Sequence, residues 1–126
     1  MSGAPKPVQE DTPAVKVPAH VRHFVDVLGL DGTVEFLLTF GGGIAYFSLD
    51  PDPRTVVAAK IGVEATAAIA QRFGPGSMRV PTAKPFIAAV LRAKGEGTSA
   101  IARRLHVSDV AVRGWLSDDS RQLKLL

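Results

Sequence analysis

An internal duplication constrains the fold of this chain more than any other feature of its sequence. Glycines recur at an offset of 33 residues, in the equivalent pairs Gly29–Gly62, Gly41–Gly74 and Gly43–Gly76. The same offset matches Leu28 with Ile61, Leu30 with Val63, Asp31 with Glu64, Thr33 with Thr66, Phe36 with Ile69 and Phe40 with Phe73. A solenoid needs about three or more such repeats. Two repeats are therefore expected to pair with each other or with a second chain.

Each repeat has the pattern of a helix, a second helix, a glycine-rich turn and a short strand. In the first repeat, apolar residues at helical spacing follow Pro18 and stop at Gly29, and a second such run ends at Gly41. The strand is predicted over Ile44–Leu49. The second repeat runs from Pro53 to Pro81, with its strand around Met78–Val80. Residues 18–82 are thus one duplicated region, and the proline-containing residues 1–17 before it are predicted to be a disordered tail.

The C-terminal part has the spacing of a helix-turn-helix, in the segment TSAIARRLHVSDVAVRGWL from Thr98 to Leu116. The two apolar faces are formed by Ile101, Ala102 and Leu105, and by Val112, Trp115 and Leu116. Between them only a tight turn fits, and Ser108 is placed to cap the second helix. The chain tends to turn left-handed at the position before Val107, where such motifs often have glycine and this sequence has His106. A helix over Lys84–Lys94 precedes this pair. The predicted fold is mainly α with two short β-strands, ending in a three-helix domain over residues 83–126.

A helix-turn-helix makes double-stranded DNA the first partner to consider. The start of its second helix would meet base edges in the major groove, and the residues predicted to do so are Ser108, Asp109, Val110, Arg113 and Gly114. Arg113 is the strongest of these candidates, because its guanidinium can bind the O6 and N7 atoms of guanine together.

The charge distribution supports the same partner. Residues 1–60 hold five basic and seven acidic side chains, whereas residues 61–126 hold ten basic and five acidic ones. A basic surface supplies most of the non-specific affinity for DNA. The predicted contacts to the DNA backbone are Arg92, Lys94, Thr98, Ser99, Arg103, Arg104, Arg121 and Lys124. The alternative is a packed helical hairpin whose arginines are merely solvated.

The first strand offers candidate contacts to a second chain. Tyr46 and Phe47 are consecutive, so one of them faces the core and the other does not. An exposed aromatic residue on a short edge strand favours pairing with another subunit. The predicted homodimer contacts are Ile44, Tyr46, Phe47, Met78 and Val80. The alternative, that both aromatic residues lie under helices of the same chain, stays open.

The sequence offers no candidate for catalysis. The chain has no cysteine, which excludes disulfides and thiolate metal sites, and its histidines are too scattered for a metal site. Gly41–Gly43 follow a helix and precede a strand, whereas phosphate-binding loops have the opposite order. We therefore expect no enzyme activity, no cofactor and no small-molecule substrate. No hydrophobic N-terminal run is present, so we expect a cytoplasmic protein with no membrane partner.

Three segments together resemble a known family. They are FGGGIAYFS at Phe40–Ser48, FGPGSMRVP at Phe73–Pro81, and the helix-turn-helix segment. Their combination resembles the Mor/C family of phage middle and late transcription activators, over nearly everything after residue 18. The resemblance implies an N-terminal dimerisation region and helix-turn-helix domains that bind imperfect repeats upstream of a promoter and help to recruit RNA polymerase.

Two other functions remain open at this point. The DNA contact could serve a phage DNA-packaging small subunit or a recombination accessory factor, which assemble into larger rings or on longer DNA. The helical hairpin could instead be a module that binds another protein and no DNA. The mass of the assembly and the salt dependence of DNA binding distinguish these alternatives.

Overall fold

A computed structural model of the chain describes the backbone of residues 15–125 and the side chains of residues 15–117. The fold is mainly helical with one antiparallel two-stranded sheet, which confirms the predicted fold class. Two compact units contain Val17–Ala83 and Lys84–Leu126. The tail predicted over residues 1–17 lies almost entirely outside the described residues. Among the residues that are described, no helix is both long and apolar enough to cross a membrane.

The N-terminal unit contains both repeats. Its elements are α1 (Ala19–Phe40), β1 (Ile44–Phe47), α2 (Val56–Ile61), α3 (Val63–Phe73) and β2 (Gly76–Arg79). The second repeat opens on a turn in which the Asp52 carboxylate accepts hydrogen bonds from the backbone and the side chain of Arg54. These bonds, led by those from the Arg54 guanidinium, hold the pKa of Asp52 below its ordinary value.

Glycine breaks the helices at equivalent places in the two repeats. Gly29 interrupts α1 with φ 77° and ψ 174°, and Gly62 separates α2 from α3 with φ 95° and ψ 157°. Only glycine adopts these conformations at little cost. The helix ends also correspond, because Gly41 donates its N–H to the Leu37 carbonyl and Gly74 donates to the Ala70 carbonyl. The predicted helix break at Gly29 is therefore confirmed.

The two strands pair with each other through equivalent residues. Ala45 lies opposite Met78, its own counterpart at the offset of 33 residues, and the neighbouring pairs are Ile44–Arg79 and Tyr46–Ser77. This register gives the sheet a local two-fold relation between the repeats. Hydrogen bonds between Val80 and Gly43 (2.8 Å) and between Gly42 and Val80 (2.7 Å) extend the pairing into the glycine turn.

An aromatic cluster forms the core of this unit. Phe36 is fully buried, and its ring centroid lies 5.2 Å from that of Phe24, 4.9 Å from Phe40 and 6.1 Å from Phe47. Ring pairs at these separations add a favourable contribution to the apolar area that they bury. At the edge of the cluster, the ring of His23 meets Phe73 edge-on and Arg72 pairs with Asp26 at 3.0 Å, which joins α1 to α3.

Burial corrects two of the predicted dimer contacts. Phe47 is 1% exposed and Val80 is 0% exposed, so neither side chain offers a surface to a second chain. The prediction for these two residues is wrong because the inner face of the sheet covers the helices of its own chain. Met78, on the same inner face, is half-buried, whereas Ile44 and Tyr46 are each 60% exposed on the outer face.

The C-terminal unit consists of three helices that contact one another pairwise. They are α4 (Lys84–Ala93), α5 (Thr98–Leu105) and α6 (Asp109–Leu125). The buried side chains come from all three: Phe86, Ile87, Ala88, Val90, Leu91, Ile101, Ala102, Leu105 and Val112. The helices predicted over Lys84–Lys94 and around the helix-turn-helix segment are therefore present, and α6 continues beyond Leu116 to Leu125.

Candidate nucleic-acid interface

The turn between α5 and α6 depends on a left-handed histidine. His106 has φ 58° and ψ 46°, which confirms the left-handed turn expected at this position. Its N–H donates to the Arg103 carbonyl (3.4 Å), and the Val107 N–H donates to the Ala102 carbonyl (3.0 Å). This is the Schellman pattern, in which the last free carbonyls of a helix are satisfied as the chain leaves it. The turn holds α6 at a fixed angle to α5 even though a left-handed non-glycine residue costs about 1–2 kcal/mol.

The first turns of α5 and α6 lie side by side. The Ser108 hydroxyl accepts the N–H of Ala111 at 3.1 Å, so the predicted cap of the second helix is confirmed. Ser99 in the first turn of α5 donates to the Asp109 carboxylate at 3.4 Å. Gly97, the residue that precedes α5, makes no side-chain cap, which leaves N–H groups of that first turn free for an outside acceptor.

All five residues predicted to contact bases lie on the outside of the unit. Ser108, Asp109, Arg113 and Gly114 are exposed, and Val110 is 69% exposed. Val112 on the opposite side of α6 is fully buried, and Trp115 and Leu116 are half-buried. The outward direction of these residues is thus confirmed, while base contact itself stays a prediction.

The predicted backbone-contacting residues form a basic surface around this face. Between residues 84 and 117 there are six lysines and arginines against two acidic residues. Arg92 donates to the Thr98 hydroxyl at 2.8 Å, and Arg104 pairs with Glu96 at 3.4 Å. The side chain of Arg103 makes no hydrogen bond or ion pair within the described residues, and neither does that of Arg113. Ser99 and Lys94 are exposed and Thr98 is half-buried, whereas the side chains of Arg121 and Lys124 lie outside the described residues.

These contacts leave Arg103 and Arg104 available to an anion. The pair between Arg104 and Glu96 is partly solvated, and exposed ion pairs contribute about 0–1 kcal/mol. A phosphate can therefore replace Glu96 as the partner of Arg104 at little cost. The side chain of Arg103 has no partner within the described residues that a phosphate would have to replace.

No protein-family model matches this chain. No curated protein and no solved structure matches it either. The likeness to the Mor/C family rests on the quoted segments alone, and the interface has to be argued from its own geometry.

Two features of the interface escaped the sequence analysis. Ser117 is exposed and lies seven residues after Val110 and three after Gly114, so it extends the exposed face of α6 by one turn. The spacing alone would have identified it. The hydrogen bond between Ser99 and Asp109 had no sequence signal, because it depends on how the two helices cross.

The other charged residues and histidines that the structure describes are dispersed over the surface. None of them form a cluster of three or more histidines and acidic residues that could hold a metal ion. An open depression of about 460 Å³ in the N-terminal unit is lined by Asp26, Glu64, Gln71 and Arg72 among others. Arg72 and Asp26 in this lining are already paired with each other, and Glu64 is the remaining charged residue of the lining.

Proposed function

We propose that this chain is a sequence-specific, double-stranded DNA-binding transcription regulator that acts as a homodimer in the cytoplasm and is not an enzyme. In the form implied by the Mor/C resemblance, it is a phage or prophage activator that binds an imperfect repeat and recruits RNA polymerase. The observation that carries the proposal is the left-handed turn at His106 followed by the capped α6, whose exposed start lies beside the first turn of α5.

In this arrangement the two helices have different tasks. The start of α6 enters the major groove, where side chains can tell the base pairs apart. The first turn of α5 faces the phosphates with free N–H groups, and Arg103 and Lys94 add positive charge around it. Contacts to phosphate position the protein, whereas contacts to base edges give the specificity.

Substituting two arginines separately tests this division. Arg113→Ala should reduce the discrimination between the preferred site and other DNA by about 5- to 150-fold, since a bidentate contact to a base is worth about 1–3 kcal/mol. Arg103→Ala should weaken binding to all sequences and lower the salt slope by about one. Selection from random DNA identifies the site, and fluorescence anisotropy at several salt concentrations gives both quantities.

The two variants act as controls for each other, because both arginines are exposed and unpaired within the described residues. An unchanged site preference in Arg113→Ala would contradict the assignment of α6. Absence of salt-dependent binding in the unmodified chain would favour a module that binds another protein.

The outer face of the sheet supports a homodimer. Ile44 and Tyr46 are exposed there, and each strand of a two-stranded sheet has one edge without a partner strand. A dimer can place two copies of α6 about 34–36 Å apart, one turn of DNA, which is the geometry that reads a repeated half-site.

A charge on this face should separate the subunits. Ile44→Glu is expected to raise the dimer dissociation constant by about tenfold or more, because burying an unpaired carboxylate in an apolar contact costs over 1.4 kcal/mol. Val56→Glu is the matched control, since Val56 is 73% exposed but lies on α2. Sedimentation equilibrium gives the dimer dissociation constant of both variants. A ring of many subunits would instead favour a DNA-packaging subunit.

A further inference from the structure

The exposed stripe of α6 consists of Val110, Arg113 and Gly114, and two of these residue types, valine and glycine, are less favourable in a helix than alanine. Val110 is a β-branched apolar side chain with 69% of its surface exposed. The side chain of Arg113 makes no hydrogen bond or ion pair within the described residues. Gly114 lies inside the helix, where glycine is less favourable than alanine because its backbone is freer in the unfolded chain.

Packing within the chain explains none of these three residues. A Cβ atom on Gly114 would meet no heavy atom within 4 Å, so the fold tolerates a larger residue there. Residues at i, i+3 and i+4 share one face of a helix, which places Val110, Arg113 and Gly114 together. Local rules of this kind are broken most often at functional sites.

We propose that this stripe reads a thymine through Val110 and a guanine through Arg113 at neighbouring base pairs, with Gly114 allowing α6 to approach the bases closely. The inference rests on the proposed function and specifies the DNA that it recognises. The thymine methyl group is the apolar contact offered by the major groove, and guanine offers the two acceptors that an arginine binds together.

The dimensions of helix and DNA fit this assignment. Val110 and Arg113 are separated by about 4.5 Å along the helix axis, from three steps of about 1.5 Å. Successive base pairs of DNA are about 3.4 Å apart. The two side chains therefore reach adjacent base pairs, and the absent side chain of Gly114 leaves room for the edge of a base or sugar.

The surrounding charge favours DNA over a protein as the occupant. Six basic residues against two acidic ones lie between residues 84 and 117, and Arg103 next to the turn is unpaired. Asp109 is the acidic residue closest in sequence to the stripe, and its carboxylate accepts a hydrogen bond from Ser99. A carboxylate at this position can accept a hydrogen bond from the amino group of a cytosine, so Asp109 is compatible with binding in the major groove.

Removing single methyl groups from the DNA tests the thymine contact. In the site selected by the unmodified chain, each thymine is replaced in turn by deoxyuridine, which lacks only that methyl group. One replacement should weaken binding about fourfold, the value for one buried methyl group. The affinities of Val110→Ala for the thymine form and the deoxyuridine form of this site should differ by no more than about twofold. Val110 is exposed, so this variant keeps the fold.

A second variant tests the close approach. Gly114→Ala should raise the melting temperature, because alanine favours the helix, and weaken binding to the selected site at least fivefold. A lower melting temperature of Gly114→Ala would contradict the statement that a Cβ atom at this position meets no neighbouring atom. Unchanged binding would overturn the close approach.

The proposed function and the proposed base contacts would be contradicted by different results. Absence of salt-dependent DNA binding would overturn the proposed function itself. Specific binding in which every deoxyuridine replacement affects the unmodified chain and Val110→Ala equally would overturn only the thymine contact. Specific binding with no preference for guanine that depends on Arg113 would overturn the guanine contact.

Discussion

Phe36→Ala is expected to lower the free energy of unfolding of the N-terminal unit by about 3–5 kcal/mol. Its ring is fully buried and stacks at 5.2 Å on Phe24, with the rings of Phe40 and Phe47 on its other sides. Alanine would remove these contacts and leave a cavity between α1 and the sheet. Because small domains have a stability of about 5–15 kcal/mol, urea denaturation followed by circular dichroism should show a large shift of the midpoint.

A neighbour on the same helix is the control for this prediction. Leu38 is 37% exposed, so Leu38→Ala should cost less than about 1 kcal/mol. The aromatic cluster would not be the centre of the core if both variants lost the same stability.

The second large effect is expected at Gly41, where the glycine turn meets the end of β2. A Cβ atom there would lie 2.5 Å from the Leu37 carbonyl oxygen and 3.0 Å from the Pro81 carbonyl oxygen. Both obstacles are backbone atoms, which cannot rotate away as a side chain could. Gly41→Ala should therefore cost about 1–3 kcal/mol, and each kcal/mol lowers the melting temperature of a small domain by about 4–8 °C.

Gly43 provides a matched control two residues further along. A Cβ atom on Gly43 would come no closer than 3.5 Å to its nearest neighbour, the Phe40 carbonyl oxygen. Gly43→Ala should leave the melting temperature within about 3 °C of the unmodified chain, consistent with a change below about 0.5 kcal/mol. Equal losses in both variants would mean that the close contact at Gly41 does not limit the fold.

Much of the N-terminal fold could be predicted from the spacing of its glycines. Gly29 and Gly62 mark the helix breaks because a positive φ favours glycine, and this preference is local. The strands were also predictable, although β2 lies at Gly76–Arg79 and not around Met78–Val80. Its start depends on the hydrogen bonds with β1, which no pattern within the second repeat reveals.

Burial of the strand residues could be predicted only in part. Alternation required Tyr46 and Phe47 to face opposite sides, and the structure agrees. The same alternation could not tell which side the helices cover, and it placed Phe47 and Val80 at a dimer surface from which their burial excludes them. Deciding between the two faces requires the position of α1 and α3 relative to the sheet, which is a property of the tertiary structure.

In the helix-turn-helix, the local structure could be predicted from the sequence, but the contacts between helices could not. The capping Ser108 follows from a local rule, and the motif predicts a left-handed residue at position 106, although glycine and not histidine is the residue that favours this conformation. The ion pair between Arg104 and Glu96 and the bond from Arg92 to Thr98 depend on how α4 and α5 cross, and the sequence did not indicate them. Arg104 and Arg92 therefore already have partners, whereas the side chains of Arg103 and Arg113 have none within the described residues.

The pairing of Ala45 with its own counterpart Met78 has a consequence for folding. A chain that carried one repeat could form this sheet only by collecting a second molecule, and its stability would then fall on dilution. Joining both repeats in one chain makes the encounter intramolecular, with an effective concentration set by the connecting residues. The N-terminal unit should therefore refold at a rate independent of protein concentration, and the outer face of its sheet is free to engage another chain.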